Sequence, residues 1–249
     1  MDDLEYARMA RVEDRHWWYQ GMTVLSRSLL DRFAPATSGG RLLDAGCGTG
    51  GALATFLSQY GMAFGCDVSA VALSFDKSRR LPRIARATVT RLPFPDEAFD
   101  IVTSFDVIYE RGVDSDRAAL LEMSRVLRRD GVLLLRVPAH NWLRGRHDDA
   151  THTARRYSAR AIRDLLISAG LTPAHISYAN ATLFPAVVAK RLAERAWPPA
   201  AEASDLDWQA GRFNEPLRAL LAAEARIAAG PGLPIGLSVV AVGRKEPAR

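Results

Sequence analysis

The stretch DAGCGTGG at residues 44–51 carries the densest chemistry in the chain. Gly46, Gly48 and Gly50 form G-x-G-x-G, while Gly46, Gly48 and Gly51 form G-x-G-x-x-G. Residues without a Cβ let a ligand reach the backbone N–H groups of such a loop. Two carboxylates flank it: Asp44, two residues before the first glycine, and Asp67 in GCDVS, about 20 residues beyond the loop. A pyrophosphate bound here would have Asp44 as a repelling neighbour, whereas a ligand with an ammonium group would be attracted. Asp67 suits both, because a carboxylate at a strand end accepts ribose hydroxyls of either ligand. The glycines alone leave the ligand open.

Two further groups have the composition of acid–base sites. Glu110 closes FDVIYE, where it is placed to take a proton or orient an amine, or else to pair with Arg111 at the surface. The segment HDDATHTARRYS holds His147, Asp148, Asp149, His152, Arg155, Arg156 and Tyr157. A histidine beside a carboxylate is a natural general base near neutral pH, so His147, His152 and Tyr157 are catalytic candidates beside Glu110. The alternative is a polar loop that caps the helix after it. His147, His152 and Asp148 could also be taken as metal ligands, but the histidine spacing does not put both rings on one helical face and no second cluster completes a set. No metal is expected.

These residues need a scaffold, and the hydrophobic pattern supplies one. With 249 residues, 48% of them hydrophobic, the chain can bury a full core. Short apolar strands are predicted at 41–46, 62–67, 84–89, 99–104, 131–139 and 171–178, with a last one at 236–243. Helical spacing is predicted at 4–33, 52–60, 115–127, 158–169 and through much of 181–229, where Pro198-Pro199 marks a loop. Alternation of strand and helix implies a parallel sheet covered on both faces, with ligand loops at the strands' carboxyl ends. The N-terminal HWWYQG cluster enters the first helical stretch, so its rings are either core anchors or a cover.

Composition narrows the function classes. The formal net charge is +5, nearly all of it from scattered arginines without a basic tail or dense patch, so a nucleic-acid partner is not expected. No apolar run approaches the roughly 20 residues of a membrane span. The charged N-terminus lacks a leader pattern, and the expectation is a soluble, cytoplasmic protein with Cys47 and Cys66 reduced.

S-adenosyl-L-methionine combines an ammonium group, a sulfonium and ribose hydroxyls, which matches Asp44 and Asp67 better than a dinucleotide does. DAGCGTG, Asp67 in GCDVS, LPFPDEAFD, SFDVIYE and RVLRRDGVLLLRVP, in that order and spacing, resemble the class I S-adenosylmethionine-dependent methyltransferases over residues 40–180. HWWYQG and HDDATHTARRYS are similar to a bacterial subgroup of that family. The resemblance implies an α/β, Rossmann-like sheet of seven strands with the last antiparallel, in one domain. Its parts would be an N-terminal helical lid at 1–36, a cofactor-binding core at 37–180, a helical substrate cover at 181–232, and the last strand and tail at 233–249.

It also implies site roles. Asp44, Gly46, Cys47, Gly48 and Gly50 would line the methionine portion, Asp67 the ribose, Val68 the adenine, and Thr88 and Val89 the adenine edge, with Phe105 after the fourth strand. Thr88 stands where the commoner pattern has an aspartate. Trp18 and Tyr19 would belong to the lid. The acceptor would be a small molecule, such as a sugar or specialised metabolite, methylated at oxygen or nitrogen. The apolar LFPAVV at 183–188 suits either that acceptor or a homodimer contact. A non-methylating enzyme using the same cofactor and a non-catalytic cofactor-binding module are the alternatives.

Overall fold

The first strand, β1 (Arg41–Ala45), shows why the sheet forms where it does. Leu42, Leu43 and Ala45 are fully buried, which only a strand covered on both faces achieves. The computed structural model describes residues 3–34, 40–145, 148, 152–196 and 210–247. In it β1 pairs in parallel with β2 (Met62–Asp67) on one side and β4 (Phe99–Phe105) on the other. Outside β2 lies β3 (Ile84–Arg86); beyond β4 come β5 (Leu127–Pro138), β7 (Ser238–Lys245) and β6 (Leu171–Ala179). The order is β3-β2-β1-β4-β5-β7-β6, with β7 antiparallel to both neighbours. This is the expected seven-stranded sheet of the class I methyltransferase fold.

Helices cover both faces. On one, Leu120 and Met123 of α5 (Asp116–Val126) and Ile162 and Leu166 of α6 (Ala159–Ser168) pack on Leu133, Leu135 and Val239. On the other, Leu25 and Leu29 of α2 (Trp17–Phe33) and Leu221 and Ala225 of α8 (Asn214–Ala229) pack on Leu42, Ile101 and Leu134. The α2–α8 contact is close because Gly21 has no side chain: a Cβ there would lie 2.6 Å from Leu221 Cβ.

Several boundaries differ from the sequence pattern. The stretch 4–33 is two helices, α1 (Asp3–Val12) and α2, because His16 turns extended and caps α2, its Nδ1 accepting the Trp18 N–H at 3.3 Å. The helix after the glycine loop, α3 (Gly51–Thr55), stops at Phe56 and gives way to a 3-10 turn over Leu57–Tyr60. The helix after β2, α4 (Ala70–Ser78), carries Ser69 at its start, with Ser69 Oγ accepting the Ala72 N–H at 3.2 Å. β3 ends at Arg86, three residues early, since Thr88 and Thr90 turn the chain through their hydroxyls, 3.0 Å apart. β5 begins at Leu127, four residues before the predicted strand, and Asp130-Gly131 is absorbed as an irregularity inside it, with Asp130 at φ +62°. In the 181–229 segment α7 (Phe184–Ala196) and α8 are helical; Pro198-Pro199 lies outside the described residues.

Candidate functional site

The loop after β1 rises from the sheet's carboxyl edge and turns back on β2. Gly46 has φ +86°, and a Cβ on it would lie 2.3 Å from Val107 Cγ2. Its N–H and that of Cys47 both donate to the Cys66 carbonyl, at 2.8 and 2.9 Å. Gly48 (φ +55°) donates to Asp67 Oδ2 at 3.0 Å, and Gly50 (φ +75°) to the Cys47 carbonyl at 3.0 Å. These four amides are spent on the protein itself. Beneath the loop a pyrophosphate would meet Asp44.

Asp44 is 2% exposed and accepts the Thr103 hydroxyl at 2.7 Å. Burial pushes its carboxyl up to about 7, against the opposing pull of Thr103 and Arg136. Asp67 holds both edges of the turn after β2, Oδ2 on Gly48 and Oδ1 on the Ser69 N–H at 2.9 Å, and each oxygen keeps a lone pair for a ligand. Beside it Val68 is 61% exposed, a large apolar surface at the rim of a cavity of about 580 Å³. Ala87, Thr88 and Val89 line the same end, though the Thr88 hydroxyl is engaged with Thr90.

The N-terminal helices roof this cavity. Tyr6 and Met9 of α1, Glu13 at the bend, and Trp18 and Tyr19 of α2 line it. Glu13 accepts the Thr49 hydroxyl and Arg79 Nη2, the latter at 2.8 Å, and burial raises its pKa. Trp17 lines the cavity too and anchors the roof: it is 8% exposed, and its backbone N–H donates to Asn214 Oδ1 at 3.0 Å. Under Trp18, Arg136 lies between two rings, with Cζ 5.1 Å from the Trp18 centroid and 5.0 Å from that of Phe105.

Of the expected cofactor residues, Trp18, Tyr19, Asp44, Gly46, Cys47, Gly48, Asp67, Val68, Thr88, Val89 and Phe105 all line this cavity. Gly50 does not; its left-handed backbone starts α3 behind the loop. Tyr6, Glu13 and Arg136 were missed. The i, i+3, i+7 spacing of Tyr6, Met9 and Glu13, and an arginine inside VLLLRVP, are the signals that would have found them.

The acid–base candidates separate. Glu110 lines the cavity from the turn after β4, and burial raises its pKa. It pairs by backbone with Thr153, so the adjacent His152 stands at the rim, with φ +51° and its carbonyl accepting the Arg111 N–H at 2.9 Å. His152 does not line the cavity, but its charge acts on Glu110 and lowers that group's pKa. Tyr157 is placed elsewhere: it is 5% exposed, and its hydroxyl donates to Asp116 Oδ2 at 2.9 Å. It does not line the cavity. His147 lies outside the described residues. Asp148, the expected carboxylate partner for a histidine, is taken by Arg156 at 2.8 and 3.1 Å and by the Gly145 N–H at 2.8 Å. The cap of α6 comes from Ser158, the last residue of the HDDATHTARRYS stretch, whose Oγ accepts the Ala161 N–H at 3.2 Å, as the capping alternative for that stretch expects.

Beyond Glu110 the cavity continues between β5, β7 and α7. Leu143, Leu183, Val187 and Leu237 give it apolar walls, with Asn180, Ser238 and the cations Arg156, Lys190 and Arg191 as polar points. Among the described residues no group of three His, Cys, Asp or Glu side chains is placed to hold a metal ion, and no helix is long and apolar enough to cross a membrane.

Comparison with known proteins agrees with this geometry. Residues 43–135 match the family described as a methyltransferase domain. A demethylmenaquinone methyltransferase of Mycobacterium tuberculosis strain H37Rv is 34% identical over 134 residues, 53% of this chain and 52% of that protein. The chain thus matches about half the length of such curated relatives. Among solved structures, a chain of the Haloferax volcanii complex containing the Trm112 methyltransferase activator superposes with a TM-score of 0.64 at 21% identity, covering 99% of this chain and 96% of that one. The geranyl diphosphate C-methyltransferase of Streptomyces coelicolor A3(2), in complex with Mg²⁺, geranyl diphosphate and S-adenosyl-L-homocysteine, gives 0.59 at 16% identity, covering 88% and 78%.

Proposed function

From a chain whose residues 43–135 belong to the methyltransferase-domain family, on a class I sheet, we propose an S-adenosyl-L-methionine-dependent methyltransferase acting on oxygen or nitrogen of a small, partly apolar acceptor. The observation that carries this reading is the electrostatics beneath the glycine loop. The Gly46, Cys47, Gly48 and Gly50 amides donate to Cys66, Asp67 and Cys47, and Asp44 lies buried under the loop, a carboxylate that repels a pyrophosphate and attracts an ammonium.

The residues present fit the cofactor. Gly46 and Gly48 leave room for the methionine chain where side chains would intrude. Asp67 offers lone pairs to two hydroxyls, and Val68 and Val89 offer apolar surface to a flat base. When bound, the cofactor supplies a methyl group on a positively charged sulfur. The protein's part is alignment and dryness: the lid residues Tyr6, Trp18 and Tyr19 exclude water, and the apolar walls seat the acceptor on the far side of the methyl. Glu110 accepts the proton that the acceptor's hydroxyl or amine releases as its new bond to carbon forms. Leu143, Leu183, Val187 and Leu237 support an acceptor with an apolar body.

Calorimetry with S-adenosylhomocysteine and with NAD tests the assignment. The expected result is binding of the first and none of the second; tighter binding of NAD would overturn it.

A further inference from the structure

Arg136 interrupts the most apolar strand of the sheet, and it is 8% exposed. Its position follows from register. Asp44 pairs with Thr103 and Thr103 with Leu134, so these three residues lie level on one face; Phe105 and Arg136, paired with each other, lie two residues farther along. Two residues of strand are about 7 Å and return the side chain to the same face. Arg136 therefore lies on the same face as Asp44, two strands across and two residues nearer the sheet's carboxyl edge, on the side of α2, and both line the cavity.

Three groups fix its orientation. The rings of Trp18 and Phe105 enclose it, and Asp106 accepts from Nε at 2.8 Å and from Nη2 at 2.6 Å. Nη1 is left without a protein acceptor among the described residues. A cation so held, lining the cavity with one nitrogen not engaged by the protein among the described residues, is a receptor for an anionic oxygen. An α-amino acid carries its ammonium and carboxylate on one carbon, so it needs opposite protein charges side by side, and Asp44 with Arg136 is such a pair.

Resting on the cofactor assignment above, we propose that Arg136 receives the α-carboxylate of the methionine portion through Nη1, while Asp44 receives the ammonium. Trp18 makes this receptor depend on the lid, because one of the two enclosing rings comes from α2. An acidic group on the acceptor is the competing occupant of Nη1.

Calorimetry with S-adenosylhomocysteine and its decarboxylated analogue, on the wild type and on Arg136→Met and Arg136→Lys, separates the cases. The expected result is a loss of about 10- to 100-fold in affinity for S-adenosylhomocysteine in Arg136→Met, with affinity for the analogue changed less than about twofold. Arg136→Lys should fall between, and it carries the same comparison if Arg136→Met does not fold. Equal losses for both ligands would make Arg136 a packing residue and overturn the proposal. Unchanged affinity for S-adenosylhomocysteine would also overturn it and leave Nη1 to the acceptor. A wild type that binds neither ligand overturns the cofactor assignment and this proposal together.

Discussion

Asp44 is sealed beneath the glycine loop, with its carboxyl raised to about 7 by burial, from an ordinary value of about 3.9. Between those two pH values the folded protein holds a proton that the unfolded chain has released, so this group's contribution to stability declines as pH rises from about 4 to about 7 and is constant above. Ligand binding has the opposite sign, since an ammonium pairs with the ionised form. Affinity for S-adenosylhomocysteine is expected to climb as pH rises toward 7 and then level off, with proton release on binding below 7; Asp44→Asn should bind more weakly and lose the slope. Calorimetry in buffers of different ionisation enthalpy measures both. Glu110 gives a kinetic counterpart, for its raised pKa leaves it protonated over part of the acidic range, where a base cannot act. Glu110→Gln should leave S-adenosylhomocysteine affinity unchanged and cut turnover roughly a hundredfold once an acceptor is in hand. Wild-type turnover in that variant would assign catalysis to alignment alone.

Elements carry the geometry those residues need, and the loop between β1 and α3 is the most constrained. At Gly46 an alanine would meet both an unfavourable left-handed backbone and the Val107 side chain. Gly46→Ala should lower stability by about 2 kcal/mol or more, read by denaturant unfolding, and reduce cofactor affinity in whatever fraction folds. The loop and both flanking acids were legible because glycine spacing and strand-end carboxylates are local signals. Helix boundaries were less so: the break at Glu13–His16 depends on a cap made by a histidine, a residue type that seldom signals one. Arg136 was illegible for another reason. Its meaning comes from Asp106, Phe105 and Trp18, which reach it from two other elements. Asp148 shows the reverse error, a local pattern that suggested a histidine partner while the fold gave it to Arg156.

At the scale of the whole molecule, alternating strands and helices announced the sheet, whereas the roof over it depended on contacts distant in sequence. Asn214 to Trp17, Arg32 to the Ala229 carbonyl, and Glu13 to Arg79 tie the first helices to parts of the chain that no local pattern connects. Those ties have a kinetic meaning. Glu13 is fastened to Thr49 and Arg79 at the same place where α1 and α2 close over the cavity, and release of the spent cofactor is expected to require that this fastening be undone. A step of this kind is paid once per cycle and is indifferent to the acceptor's nucleophilicity. Rapid-quench measurements should then show the first equivalent of product forming faster than those that follow, and Glu13→Gln or Arg79→Ala should raise the steady rate while leaving that initial phase unchanged. The catalyst would keep time by its door.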